Sequence, residues 1–198
     1  MKFDYIIVGA GSAGCVLANR LTKNEKNKVA VFEAGNSSDI WKVKMPLALL
    51  YTMHDPKYNW KYYSDPEPHL NNRRLFCPRG KMIGGCSAHN GMVFVRGNRD
   101  DYERWESFGL KSWSYDKILP YFKKIENWSG GENQYRGSLG PLPVNKSKNN
   151  NPLFGAFLSA SAEAGHKINS DMNGKTQEGM GMFDTTIHNG ERASVSKH

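Results

Sequence analysis

The 198-residue sequence predicts an α/β fold, because a strand, a glycine turn, a helix and a second strand follow one another within residues 1–35. The apolar run from Tyr5 to Val8 is typical of a strand that is buried on both faces. Apolar residues with helical spacing follow the glycines, and a second apolar run occupies residues 28–35. This order predicts a βαβ unit with parallel strands, the Rossmann-like start of a larger domain.

The other elements are less regular. Residues 41–79 contain Pro46, Pro56, Pro66, Pro68 and Pro78 and cannot form one regular element. Helices are predicted over 98–108, over 114–127 with a break or kink at the internal proline, and over 151–165. Residues 129–151 are predicted to be a loop, and residues 166–198 have few apolar side chains.

Composition restricts the class of protein. The net charge is +8 and the isoelectric point is about 9.3, but the lysines are scattered and no nucleic-acid-binding motif is present. We therefore expect a solvated basic surface and no nucleic-acid partner. Three widely spaced cysteines indicate a reducing compartment, with the cytoplasm as the expected location. We expect no signal peptide, and no apolar run is long enough to span a bilayer.

The first glycine cluster has the spacing of a dinucleotide site. Gly9 permits a tight turn, Gly11 lets the backbone approach a pyrophosphate, and Gly14 allows close packing of helix on strand. Glu33 follows Gly14 by 19 residues at a predicted strand end, where it can accept hydrogen bonds from an adenosine ribose. A carboxylate there disfavours NADP, which leaves FAD or NAD. The alternative is a glycine turn without a ligand.

The second cluster, GGCSAHNGM at residues 84–92, places Cys86 three residues before His89. A zinc site would need further ligands at suitable spacing, and no second pair supplies them. A cysteine–histidine nucleophile is not supported, because no acyl-transfer scaffold surrounds it. Cofactor binding and an ordinary turn both remain possible at this point.

Residues 78–97, PRGKMIGGCSAHNGMVFVRG, resemble the first signature of the glucose–methanol–choline (GMC) oxidoreductases, FAD-dependent enzymes that oxidise alcohols. The segments YNWKYYSDPEP, DYERW, YRGSLGPLPV and NGKTQEGMGMFD are also similar in order and spacing, so the resemblance covers essentially the whole chain. The signature matches are Gly80, Lys81, Ile83, Gly84, Gly85, Ser87, Asn90 and Gly91, followed by Phe94 and Gly97.

The resemblance implies that FAD is the cofactor and assigns residues to it. The amino-terminal fingerprint is expected at Gly9, Gly11, Ser12, Ala13, Gly14, Glu33 and Ala34. The pyrophosphate is expected beside Gly84, Gly85, Cys86 and Ser87, and the flavin beside Asn90, Gly91, Met92 and Val93. Trp60 and Tyr62 are interpreted as core aromatics rather than pocket aromatics.

His89 departs from the commonest family pattern, in which an aliphatic residue is usual, and Cys86 stands where serine, threonine or glycine is usual. A subset of the family carries a similar Cys-Ser-x-His-Asn stretch, whose histidine is bonded to the 8α-methyl carbon of the flavin. By that resemblance His89 is a candidate covalent anchor for FAD. The alternative is a loop histidine that packs through its ring.

The resemblance also implies that much of a family member lies outside this sequence. The family's catalytic histidine is expected beyond residue 198, so no catalytic residue and no metal ligand is assigned within the chain. The predicted fold is an incomplete Rossmann-like FAD-binding domain, in which residues 98–198 lead through helices toward a missing substrate domain.

Three hypotheses for the protein's role follow. The chain is an inactive truncated relative, or a piece of an alcohol oxidoreductase completed by another segment or chain, or a basic interaction protein. Alone, it is expected to be inactive and marginally stable. Histidines other than His89 are interpreted as surface residues: His54, His69, His166, His188 and His198.

Overall fold

The computed structural model describes residues 2–196. Its α-helices are α1 (Ser12–Leu21), α2 (Trp41–Lys44), α3 (Leu49–His54), α4 (Arg99–Ser107), α5 (Tyr115–Ile125) and α6 (Pro152–Glu163). Its strands are β1 (Tyr5–Val8), β2 (Val29–Phe32), β3 (Tyr62–Tyr63), β4 (Phe76–Cys77), β5 (Val93–Phe94), β6 (Glu126–Trp128), β7 (Leu142–Lys146), β8 (Asp184–Thr185), β9 (Ile187–His188) and β10 (Glu191–Arg192).

The chain divides into two units. The first contains the chain up to Met92 together with the stretch from Asn189 onward, and the second runs from Val93 to His188. The carboxy-terminal stretch thus returns to the unit that contains the glycine-rich segments.

The βαβ prediction is confirmed in the first unit. β1 and β2 pair in parallel, with Tyr5 opposite Val29 and Val8 opposite Phe32, and α1 connects them. A Cβ atom at Gly14 would lie 2.0 Å from the carbonyl oxygen of Gly9, so only glycine allows α1 to pack this closely on the turn.

The expectation that β1 is buried on both faces is wrong for this chain. Val8 is 87% exposed and Ile6 is 63% exposed, whereas Ile7 is buried. On the neighbouring strand Phe32 is 60% exposed. The physical reason is that this sheet has two strands within residues 2–196, so its outer surface lacks the neighbours that cover a parallel sheet.

The core of the first unit lies beside the second glycine-rich segment. Val43, Tyr58, Met82 and Ala88 form a buried apolar cluster, against which Ile40 packs. Residues 41–79, predicted to be irregular, contain only short helices and the two-residue strands β3 and β4. This cluster therefore connects the loop-rich segment to the turn that precedes His89.

The second unit has a four-stranded sheet in the order β5-β8-β7-β6, in which only β6 and β7 are parallel. Two helix predictions are confirmed with their caps. The side chain of Asn98 accepts a hydrogen bond from the Asp100 backbone at the start of α4, and that of Asn151 accepts one from the Leu153 backbone at the start of α6.

Two predictions for the second unit need correction. α5 is not broken at Pro120 but continues through it to Ile125, and β6 begins at the next residue, while a kink at Pro120 stays a prediction. Packing of the helix, including the edge contact of Phe122 with Tyr102, offsets the cost of an internal proline. Residues 129–151 are not all loop, because β7 forms there and Val144 is fully buried. The many glycines and asparagines around β7 favour turns, so the sequence pattern does not indicate this short strand.

A buried ionic cluster lies within the second unit. Glu126, fully buried, accepts hydrogen bonds from Arg96 at 2.6 Å and from Arg136 at 3.1 Å. Arg136 also donates to Asp171 at 2.6 Å and to Asp184 at 2.8 Å. Buried charges are tolerated only when they are paired and hydrogen-bonded, and each carboxylate here meets a guanidinium.

Candidate functional site

Two glycine-rich segments that are remote in sequence meet in the first unit. The backbone N–H of Gly84 donates a 2.7 Å hydrogen bond to the carbonyl of Ala10. A Cβ atom at Gly85 would lie 2.8 Å from the Cα of Gly11, and one at Gly80 would lie 2.3 Å from the carbonyl oxygen of Gly85. Glycine at these positions is therefore what allows the two segments to pack backbone against backbone.

A cleft of about 570 Å³ opens where these segments meet. This cleft is lined by five of the residues that the sequence predicts to bind the cofactor: Gly9, Gly11, Glu33, Ala34 and Gly85. Glu33 and Ala34 lie at the end of β2. The lining consists of Val8, Gly9, Gly11, Phe32, Glu33, Ala34, Trp60, Gly80 and Gly85. Such a volume lies in the range of small-molecule and cofactor pockets.

The floor of the cleft suits an anion. Gly9 has φ of +92°, and no heavy atom lies within 4 Å of a Cβ built at Gly9 or at Gly11. The open backbone therefore forms a cradle that side chains would fill. Ser12 and Ala13 are exposed in the first turn of α1, which carries no acidic residue. The free N–H groups and the positive dipole end of α1 can thus receive a pyrophosphate.

The side chain of Glu33 is hydrogen-bonded to the glycine turn. Its Oε2 atom accepts a hydrogen bond from the Ala10 backbone at 2.8 Å, and its Oε1 atom accepts one from the Gly35 backbone at 2.8 Å. Each carboxylate oxygen has a second lone pair with which it can bind a ligand hydroxyl. Glu33 therefore fixes the turn and presents a charged acceptor at the cleft.

The segment after the glycine pair is a compact turn. A 3₁₀ turn spans Gly85–Ala88, and the hydroxyl of Ser87 donates to the Gly84 carbonyl at 2.7 Å. The side chain of Asn90 accepts a hydrogen bond from the Met92 backbone at 3.0 Å, while Met92 has a φ of +60°. The Met92 N–H is thus already engaged within the chain.

His89 lies at the back of this turn and is only 4% exposed. Its Nε2 atom is buried and has no hydrogen-bond partner among the described residues. Burial lowers the pKa of His89 below 6.5; a backbone hydrogen bond with Thr52 opposes this shift, and the charge of Arg192 adds to it. Burial thus favours the neutral form of the ring at pH 7, in which one ring nitrogen keeps a free lone pair.

Arg192 is a residue of this site that sequence analysis did not assign. Its side chain is 2% exposed and donates from Nη1 to the carbonyl of Asn90 at 2.7 Å and from Nε to the carbonyl of Val43 at 3.0 Å. A signal that could have indicated it is the sequence GERAS at residues 190–194, which resembles a Gly-x-Arg-x-Ser stretch of the GMC family.

The interpretation of Trp60 and Tyr62 as core residues is wrong. Trp60 is 42% exposed and lines the cleft, and Tyr62 is 52% exposed. Their rings stack at 6.0 Å, and the Lys81 ammonium lies 4.9 Å from the Trp60 ring. β3 and β4 form a separate two-stranded ribbon, so the sheet itself supplies no further strand beside these rings within residues 2–196.

Several predicted residues lie outside the cleft lining. Cys86 is exposed, and Cys15, Cys77 and Cys86 are free thiols. Val93 belongs to the second unit, so its expected position beside a flavin stays a prediction. No cluster of three or more potential metal ligands occurs within residues 2–196. In the same range no helix combines the length and the apolarity that a bilayer span requires.

The interpretation of the remaining histidines as surface residues is confirmed where the structure describes them. His54, His69, His166 and His188 are all exposed. His198 lies outside the described residues. None of the four has the burial that distinguishes His89.

A parallel βαβ unit with this glycine turn and an acidic residue at the end of β2 defines a dinucleotide-binding class of fold. Comparison with known proteins agrees: residues 3–198 match the family model described as GMC oxidoreductase. The chain belongs to the GMC oxidoreductase family, whose members depend on FAD.

Individual relatives show how much of a family member the chain represents. An oxygen-dependent choline dehydrogenase of Sinorhizobium fredii is 49% identical over 196 residues, which are 99% of this chain and 36% of that protein. The crystal structure of pyridoxine 4-oxidase from Mesorbium loti superposes with a TM-score of 0.91 at 30% identity, covering 98% of this chain and 38% of that one.

A second solved structure, an FAD-dependent oxidoreductase from Chaetomium thermophilum, gives a TM-score of 0.87 at 28% identity and covers 99% of this chain and 36% of that one. The chain therefore spans little more than a third of the length of the proteins that it matches.

Proposed function

We propose that this chain is the FAD-binding amino-terminal part of an oxidoreductase that acts on the CH–OH group of an alcohol. The observation that supports this most directly is the cleft in the first unit, where Gly9 and Gly11 meet Gly85 beside the Glu33 carboxylate. The donor set fits the adenosine diphosphate part of FAD, because it offers backbone N–H groups to phosphates and a carboxylate to a ribose.

In this proposal the α1 amino terminus, including Ser12 and Ala13, holds the pyrophosphate from one side. Gly84, Gly85, Cys86 and Ser87 hold it from the other, and Asn90, Gly91, Met92 and Val93 lie along the flavin. Glu33 binds the ribose, and Ala34 lies beside it. When bound, FAD accepts the hydride of the alcohol, and the protein supplies binding, orientation and electrostatics.

His89 is proposed to attach the flavin covalently. Its buried Nε2 has no partner among the described residues, and a neutral imidazole with a free lone pair is a nucleophile. Attachment would replace a C–H bond of the 8α-methyl group and the imidazole N–H by one C–N bond. The two protons and two electrons so released would reduce dissolved dioxygen to hydrogen peroxide.

The alcohol and its general base are assigned to the rest of the enzyme. The similarity to choline dehydrogenase makes small alcohols such as choline the first substrates to test. We propose that the 198-residue polypeptide is inactive by itself and that a further segment or partner chain completes the sheet. The exposed apolar side chains of Ile6, Val8 and Phe32 support this, because parallel sheets are normally covered on both faces.

Covalent FAD is tested with the full chain incubated with FAD in air. After acid precipitation, flavin absorbance should remain in the wild-type pellet and wash out of the His89→Ala pellet. His54→Ala is the matched control, because His54 is an exposed histidine of the same unit and should retain the colour. A colourless wild-type pellet from a preparation that contains bound FAD would overturn the covalent link and leave reversible binding intact.

Completion is tested by mixing the chain with a Sinorhizobium fredii choline dehydrogenase polypeptide that lacks the matched amino-terminal third. We expect choline oxidation from the mixture and from neither part alone. Ile6→Asp, which places a carboxylate on the exposed sheet surface outside the cleft lining, should abolish the activity of the mixture. Turnover by the isolated chain would refute the proposed inactivity.

A further inference from the structure

Arg192 joins the carboxy-terminal stretch to both ends of the turn that contains His89. Its Nη1 atom donates to the carbonyl of Asn90 at 2.7 Å, to the Asn90 side-chain oxygen at 3.0 Å, and over 3.4 Å to the carbonyl of Ser87. Ser87 and Asn90 enclose His89 in sequence. One guanidinium thus holds the backbone on both sides of the histidine.

The same stretch makes a second connection. The backbone N–H of Val195 donates to the Ser87 hydroxyl at 3.2 Å, and that hydroxyl donates to the Gly84 carbonyl. Gly84 is in turn bonded to Ala10 in the first glycine turn. A series of hydrogen bonds therefore connects Val195, through Ser87 and Gly84, to the first glycine turn at Ala10.

We propose that Arg192 is the positioning residue that clamps the turn from Ser87 to Asn90 and thereby presents His89 Nε2 for attachment to the flavin. The proposal rests on the covalent link proposed above. Arg192 suits this role because a planar guanidinium can bridge several carbonyls at once, which an ammonium group cannot reproduce.

The electrostatics of the site favour the same role. Arg192 itself is desolvated, and burial lowers its pKa to about 10, so it stays charged at pH 7. Its positive charge disfavours a second cation nearby and lowers the pKa of His89 in addition to the effect of burial. The clamp thus orients the imidazole and also keeps it in the nucleophilic, unprotonated form.

The test compares wild type with Arg192→Met and Arg192→Lys, and Arg20→Met serves as a control that removes an exposed arginine of the same unit. The first measurement is the pKa of His89, which is determined by an NMR titration of protein that carries labelled histidine. We expect that pKa to rise in Arg192→Met, to change less in Arg192→Lys, and to be unaffected in Arg20→Met.

The second measurement is the rate at which FAD becomes resistant to acid precipitation at pH 7. We expect at least a tenfold slower rate in Arg192→Met, partial recovery in Arg192→Lys, and a wild-type rate in Arg20→Met. If Arg192→Met fails to fold, as judged by circular dichroism, the same comparison in Arg192→Lys decides the question.

The outcomes separate the two proposals. If wild type attaches FAD and the Arg192 variants attach it at the same rate, the clamp is wrong while the covalent link stands. If wild type binds FAD but attaches none of it, the covalent link is overturned and the role of Arg192 in attachment falls with it. An unchanged His89 pKa in the folded variants overturns the electrostatic part of the clamp in either case.

Discussion

Replacing Glu33 by glutamine should weaken binding of ADP, the part of FAD that the cleft is proposed to hold. Both carboxylate oxygens accept backbone N–H groups at 2.8 Å, so the amide of Glu33→Gln must point its NH₂ group at one of those donors. An unmet backbone donor costs about 1–3 kcal/mol, and a hydrogen bond to a charged group contributes about 1.5–3 kcal/mol. Loss of the charged ribose contact alone corresponds to roughly a 10- to 150-fold weaker affinity.

The assay is calorimetric titration of the full-length chain with ADP. Glu25→Gln is the matched control, because it makes the same change in net charge at an exposed position outside the cleft. Long-range attraction of ADP would increase equally in both variants, whereas loss of the ribose contact affects Glu33→Gln alone. The same variant should discriminate less against 2′-phosphorylated ADP, since the repelling carboxylate is gone. ADP affinity within twofold of wild type would refute this account of Glu33.

Further predictions concern packing, buried charge and pH. Gly85→Ala should abolish ADP binding, because its Cβ would lie 2.8 Å from Gly11 and its φ is +51°; calorimetry tests this. Glu126→Gln should lower the free energy of unfolding, measured in urea, by about 3–5 kcal/mol, because it leaves buried guanidinium groups without their carboxylate. The control Asp101→Asn, which removes an exposed ion pair, should lower it by about 0–1 kcal/mol. Equal effects of the two variants would contradict the interpretation of Glu126 as the centre of a buried ionic cluster. Because burial lowers the pKa of His89, the unfolded state binds more protons below pH 6.5. Stability should therefore fall as pH drops below that value, and His89→Gln should flatten the dependence in thermal melts.

Much of the first unit could be predicted from local patterns. The spacing of Gly9, Gly11 and Gly14 between two apolar runs predicts the βαβ unit, because strand and helix periodicities and tight turns depend on near neighbours. Glu33 was placed correctly at the end of β2 for the same reason. β7 could not be predicted, since its five residues lie among turn-forming residues and pair with strands more than a dozen positions away.

The tertiary structure alone decided which distant groups share a site. It brought Gly85 against Gly11. It also placed Arg192 against the carbonyls of Ser87 and Asn90, which lie more than a hundred residues earlier in the chain. The spacing of residues along the chain does not predict the hydrogen-bond partners of a buried guanidinium or the burial of an imidazole. Both depend on atoms that come together only after the chain has folded. By itself the sequence determined the family, the glycine framework and the candidate anchor. The fold decided that His89 is buried, that this burial lowers its pKa, and that Arg192 bonds the carbonyls of Ser87 and Asn90.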